Sequence, residues 1–210
     1  MNLQGGISYV LMSFMIIGVV ATSISGALRA IESKMDITGA ILLAFIASNA
    51  GGTVRDIILN SPIFWMEDQF YIWITLVIGA LTFILVYYNR KLLSNQRLHT
   101  LLIVTDAMGL AAFCLAGVEK TTTYGQNDLI AVLMGVWTAV GGGICADIIA
   151  NRVPLVFSSE FYLTVAFAGA ICYLFLNPYL GNILAGMVAT IIMVLFRLYS
   201  VKFKWKLPTI

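Results

Sequence analysis

Gly51-Gly52-Thr53-Val54-Arg55-Asp56-Ile57-Ile58-Leu59-Asn60 recurs, 91 residues later, as Gly142-Gly143-Ile144-Cys145-Ala146-Asp147-Ile148-Ile149-Ala150-Asn151. Each copy is a glycine run followed by a carboxylate inside an apolar stretch. Two such interruptions in corresponding halves of one hydrophobic chain point to a path for ions or small polar solutes.

The same offset of 91 carries much of the first half onto the second. Leu11 meets Leu102, Gly18 meets Gly109, Gly26 meets Gly117, Leu42 meets Leu133, and Phe70-Tyr71 meets Phe161-Tyr162. The chain is therefore read as an internal duplication. Of its 210 residues 60% are hydrophobic and 10% charged, with a mean hydropathy of +0.96. Soluble domains carry about 25% charged residues, so this composition specifies an integral membrane protein.

About 20 apolar residues are needed per crossing. On that basis we expect seven transmembrane helices in a single membrane domain spanning residues 1–210: Ser8–Leu28, Thr38–Asn60, Phe70–Asn89, Thr100–Val118, Leu129–Asn151, Phe161–Asn177 and Leu180–Ser200. The fold class is all-α. Repeat one covers about residues 8–89, repeat two about residues 100–177, and a seventh helix follows at about residues 180–200. The tight connection at Asn177-Pro178-Tyr179 reads as a helix stop followed by a start. Three crossings per repeat is an odd number, which makes the two repeats inverted.

Parity assigns Arg29, Lys34, Arg90, Lys91, Arg97, Arg152, Arg197, Lys202, Lys204 and Lys206 to one side, and only Arg55 and Lys120 to the other. The positive-inside rule places the first side in the cytoplasm, the N-terminus outside and the C-terminus inside. Met1-Asn2-Leu3-Gln4 lacks the positive charge of a signal peptide, so the first apolar run is read as a retained span. The expected location is the inner (plasma) membrane.

Glycine costs about 1 kcal/mol relative to alanine in a helix. Gly51, Gly52, Gly141, Gly142 and Gly143 are accordingly expected to bend or break their helices and expose backbone groups to a pore, although close packing through small residues is the plainer reading. Asp56 and Asp147 then sit one turn into a restarted helix, where the dipole favours a carboxylate and the carboxylate attracts cations. Arg55 adjoins Asp56, and adjacent helical residues point apart, so its counter-charge is sought in Asp147 or Glu119. Glu119, Lys120 and Arg29 lie at helix ends, where interfacial snorkelling is the default. Ser48, Asn49, Thr53 and Thr138 are weaker candidates for polar lining, because such side chains commonly bond back to their own helix. Asn60-Ser61-Pro62 and Asn151-Arg152-Val153-Pro154 read as helix exits.

Several classes of function receive no support. Cys114, Cys145 and Cys172 have no metal-ligand or CxxC spacing and are read as packing residues, and His99 as a solvated residue of the Arg90–His99 connection. No tightly bound metal or other cofactor is expected. Neither HExxH nor GxSxG occurs, so an enzyme is disfavoured. A net charge of +2 does not argue for nucleic acid. Lys202-Phe203-Lys204-Trp205-Lys206 suits a cytoplasmic interface with anionic membrane lipids.

The duplicated three-helix unit, the Gly51-Gly52-x-x-Arg55-Asp56 motif with its following proline, Gly141-Gly142-Gly143-x-x-x-Asp147, the Gly117-Val118-Glu119-Lys120 segment and a seventh helix together resemble the prokaryotic trimeric intracellular cation (TRIC) channels. The resemblance covers essentially the whole chain. It implies a homotrimer with one pore inside each subunit, conducting monovalent cations, chiefly potassium, with sodium as another permeant ion. By the same resemblance the second and fifth helices are kinked at their glycines and line the pore. The chain departs from the family pattern at Ala50, in place of a first glycine, and at Ala146, in place of the second motif's arginine. Inverted repeats with broken helices suit a secondary transporter equally well, so transport of a small zwitterion such as glycine is the alternative.

Overall fold

A computed structural model describes residues 9–89, 95–158, 161–203 and 205. The expectations that involve Ser8, Arg90, Lys91, Lys204, Lys206 and the extreme N-terminus fall outside the described residues. Eight helices follow in order: α1 (Tyr9–Glu32), α2 (Ile37–Ile58), α3 (Phe64–Glu67), α4 (Phe70–Tyr88), α5 (Asn95–Thr123), α6 (Asp128–Ile149), α7 (Leu155–Ser158) and α8 (Tyr162–Lys202). No strand occurs among the described residues.

Six of these helices are long and apolar enough to cross a membrane. The last has 41 residues, about 60 Å at 1.5 Å per residue and twice the thickness of a bilayer core. It is interrupted at Gly181, whose φ of 73° and ψ of 164° are not helical. The expected boundary at Asn177-Pro178-Tyr179 thus moves a few residues along the chain. Pro178 lies inside α8, where it lacks the N–H for one backbone bond, but the residue that leaves helical geometry is Gly181, which tolerates the positive φ. His99, expected in a connection, belongs to α5, which starts at Asn95.

The 91-residue register governs the backbone as well as the sequence. The Asp36 side chain caps α2 by accepting from the Gly39 amide at 2.8 Å, and Asn127 caps α6 by accepting from Ile130 at 3.0 Å. Asn60 and Asn151 close the two helices with φ of 50° and 53°, as the reading of both segments as helix exits requires. The turn after α1 puts Lys34 at φ 60°, and its counterpart after α5 is Gly125 at φ 74°. The short helices α3 and α7, which the sequence reading missed, occupy equivalent places.

Packing follows the same scheme. Helix α1 lies against α5, α2 against α6, α4 against α1 and α2, and α8 against α5 and α6. The α2–α6 crossing is set by glycine. A Cβ added at Gly51 would collide with the Thr138 carbonyl oxygen, and one added at Gly142 with the Ala47 carbonyl oxygen. Phe70, Trp73, Val77, Leu81 and Leu85 on α4 face outward, as a lipid-facing helix requires.

Both glycine segments remain within unbroken helices. The expected breaks are not present, and the plainer reading holds: the missing side chains let two backbones approach each other, so the intact helical bonds leave no orphaned polar groups to be satisfied. Asp56 and Asp147 therefore lie in the last turns of α2 and α6, at the negative end of the dipole. Other groups must stabilise these carboxylates.

Candidate functional site

Those groups form two buried clusters, one at the end of α2 and one at the end of α6. In the first, Asp56 is fully buried, and its Oδ2 accepts from the Phe64 amide that opens α3, at 3.0 Å. Its Oδ1 receives two cations. Arg55 approaches at 2.7 Å through both Nε and Nη2, and Lys120 Nζ, from the end of α5, lies at 2.8 Å. Phe64 also faces Arg55, with its ring centroid 5.9 Å from the guanidinium carbon. The Arg55 counter-charge is thus its own neighbour, and not Asp147 or Glu119. Its long side chain spans the angle between adjacent helical positions.

The second cluster repeats this plan with different residues. Asp147 Oδ2 accepts from the Leu155 amide that opens α7, at 3.0 Å, and Oδ1 lies 3.0 Å from Arg29 Nε. Arg29 and Lys120 are equivalent under the 91-residue shift. Each repeat therefore sends a cation to the other repeat's aspartate. Arg29 also donates through Nη2 to Asp106 at 2.6 Å and through Nη1 to Ser25 at 2.9 Å. Arg152 Nε stands 3.8 Å from Asp147 Oδ1, while its Nη1 donates to Glu32 at 2.6 Å. Arg197, also buried, lies over the Tyr162 ring at 4.6 Å.

Arg29 and Lys120 are consequently core residues. Arg29 is 1% exposed and Lys120 9%, which overturns the snorkelling role expected of both. Glu119 is buried too; its two oxygens accept from the Tyr173 hydroxyl at 2.5 Å and the Asn182 amide at 2.7 Å. It ties α5 to both segments of α8, on either side of Gly181. The weaker polar candidates bond within their own helices, since an isolated hydroxyl in an apolar bundle finds the preceding turn's carbonyl nearest. Ser48 donates to Ala44 at 2.7 Å, Thr53 to Asn49 at 2.7 Å, Thr138 to Met134 at 2.6 Å, and the Asn49 amide to Phe45 at 2.9 Å.

A narrow cleft lined by Arg29, Gly143, Asp147 and Tyr162 has no room for a water molecule. A larger open pocket of about 470 Å³ lies beyond it, lined by Ile31, Glu32, Ser33, Lys34, Leu98, His99 and Arg152. Both carboxylates are buried, each accepting from a backbone amide and each in contact with cationic side chains. Sequence reasoning passed over Asp106, Tyr162, Glu32 and Arg152 as members of a site. Asp106 carried a usable signal, because an aspartate deep within an apolar run needs a buried partner.

The family model described as "Glycine transporter" matches the chain twice, over residues 12–87 and again over 103–178, two segments 91 residues apart. The UPF0126 inner membrane protein YadS of Escherichia coli K12 is 37% identical over 200 residues, covering 92% of this chain and 93% of its own. A UPF0126 membrane protein of Vibrio cholerae is also 37% identical, over 91% of this chain and 79% of its own. Among solved structures, a prokaryotic TRIC channel crystallised in 0.5 M KCl superposes with a TM-score of 0.85 at 31% identity, covering 95% of this chain and 99% of its own. A TRIC trimeric intracellular cation channel orthologue from Rhodobacter sphaeroides gives 0.86 at 30% identity, over 94% and 100%.

Proposed function

Since this chain belongs to the family of prokaryotic TRIC channels and UPF0126 membrane proteins, we propose that it is a monovalent cation channel, conducting chiefly potassium. It works as a homotrimer with one pore inside each subunit, built from seven crossings that form two inverted three-helix repeats and a seventh helix. The pore runs between the repeats past Asp56 and Asp147, and the conformation described is closed. The observation that carries this reading is the reciprocal pairing of Lys120 with Asp56 and of Arg29 with Asp147. A buried carboxylate attracts a partly dehydrated cation. While a lysine or arginine occupies that carboxylate, the entering ion meets a positive group instead. Opening separates α2 from α6 at the Gly51–Gly142 contact, withdraws Lys120 and Arg29, and leaves the two carboxylates facing the path.

The positive-inside assignment supports a cytoplasmic C-terminus. Arg55 and Lys120, the two cations assigned to the outer side, are buried within the bundle, whereas Lys34, Arg97 and Lys202 on the other side are exposed.

The description of the family model favours a second reading, transport of a small zwitterion such as glycine. Buried charges of both signs suit an ammonium and a carboxylate on one substrate. The test is purified protein in planar bilayers and in proteoliposomes. Unitary potassium currents that reverse at the potassium equilibrium potential support the channel; saturable counterflow of labelled glycine without unitary currents overturns it.

A further inference from the structure

His99 is the chain's single histidine, and its imidazole is half-exposed at the wall of the open pocket beside the second cluster. Its Nδ1 lies 3.6 Å from Glu32 Oε1, within ion-pair distance. The other oxygen of Glu32 holds Arg152 at 2.6 Å, and Arg152 in turn stands 3.8 Å from Asp147. A continuous chain of charged groups therefore leads from a water-exposed histidine to the buried carboxylate. Helix α5 is 29 residues long, about 43 Å against a hydrocarbon core of about 30 Å, which leaves turns outside the core; the exposed polar residues Gln96, Arg97 and His99 mark the first turns as that end.

We propose that His99 is a proton sensor for this channel, and that its protonation adds a positive charge to the pocket and reduces cation entry. The proposal rests on the channel reading above. Facing His99 in the pocket are Glu32 and Lys34, from α1 and the turn after it, and Arg152, from the segment between α6 and α7. Arg97 is exposed nearby on α5 itself. With His99 neutral, Lys34 and Arg152 are set against Glu32. With His99 charged, three cations share that one carboxylate, and the local concentration of permeant cations falls. Histidine is the side chain whose charge ordinarily changes between about pH 5 and about pH 8.

Planar-bilayer recording of the wild type, His99→Asn and His99→Lys across this pH range tests the proposal. Wild-type conductance is expected to fall about two- to fivefold between about pH 8 and about pH 5.5. His99→Asn should abolish that fall, and His99→Lys should hold conductance low at both pH values. A wild-type pH profile in His99→Asn, or wild-type conductance at about pH 8 in His99→Lys, overturns the proposal. Absence of current at every pH overturns the channel reading and the proposal with it, whereas potassium currents that do not change with pH overturn the proposal alone.

Discussion

The Asp56 and Asp147 clusters occupy equivalent places in the two repeats, yet they are not balanced alike. At Asp56 two cations, Arg55 and Lys120, converge on one carboxylate oxygen. At Asp147 the cross-repeat cation Arg29 also has Asp106, and the second cation Arg152 also has Glu32. The substitutions responsible are visible at the shifted positions. Ala146 stands where the first repeat has Arg55, Met15 where the second has Asp106, and Ser61 where the second has Arg152. One shared plan, a short helix capped by an aspartate that a foreign cation reaches, thus yields one cluster that depends on a single acid and one whose charges are paired redundantly.

Removing the acids should break this comparison most sharply. Asp56→Asn strands two buried cations, and such a loss costs about 3–5 kcal/mol. Asp147→Asn leaves Arg29 on Asp106 and Arg152 on Glu32, so its cost should be about 1–3 kcal/mol, mainly through the weakened cap on Leu155. Thermal unfolding of both variants in the same detergent should rank Asp56→Asn as much the less stable. Equal losses would show that the pairing beyond each aspartate is immaterial.

Cation removal should reverse the order. Lys120→Met relieves the surplus at Asp56 and leaves a matched Arg55–Asp56 pair, so stability should change by less than about 1 kcal/mol. Arg29→Met leaves Asp106 and Asp147 buried without their shared partner and should cost about 3 kcal/mol or more. The same unfolding assay reads both.

The smallest effect belongs to the turns. Lys34 adopts a left-handed φ where the second repeat has Gly125. Lys34→Gly should therefore stabilise by up to about 1 kcal/mol and Gly125→Ala destabilise by about as much, since a side chain there is strained. Opposite shifts in midpoint would confirm that the two turns are conformational equivalents.

Much of this plan was legible in the sequence. The shift of 91 pointed to the paired asparagine exits and to the equivalence of Arg29 with Lys120, because each depends on residue type and spacing alone; the paired caps Asp36 and Asn127 obey the same shift but were not singled out. Long apolar runs located the spanning helices for the same reason. The glycine runs misled because glycine weakens an isolated helix, whereas here it admits a neighbouring backbone at Thr138 and Ala47, and only the three-dimensional crossing distinguishes the two. The pairing of Arg55 with Asp56 was missed because helical geometry separates adjacent Cβ atoms but does not limit the reach of an arginine. Helices α3 and α7 are four residues each and owe their first turns to a carboxylate eight positions earlier, so no local periodicity announces them. The helix interruption falls at Gly181 rather than at Pro178 because glycine tolerates the positive φ found there, and Glu119 bonds to Tyr173 and Asn182 on either side of it.

On the channel reading proposed above, cations lent between the repeats hold the path closed. Unitary-current recording of Lys120→Met against the wild type, under opposed potassium and sodium gradients, tests it most directly. The account predicts a higher open probability for the variant with cation selectivity retained. Indistinguishable open probabilities, or currents carried by chloride in the wild type, would contradict it.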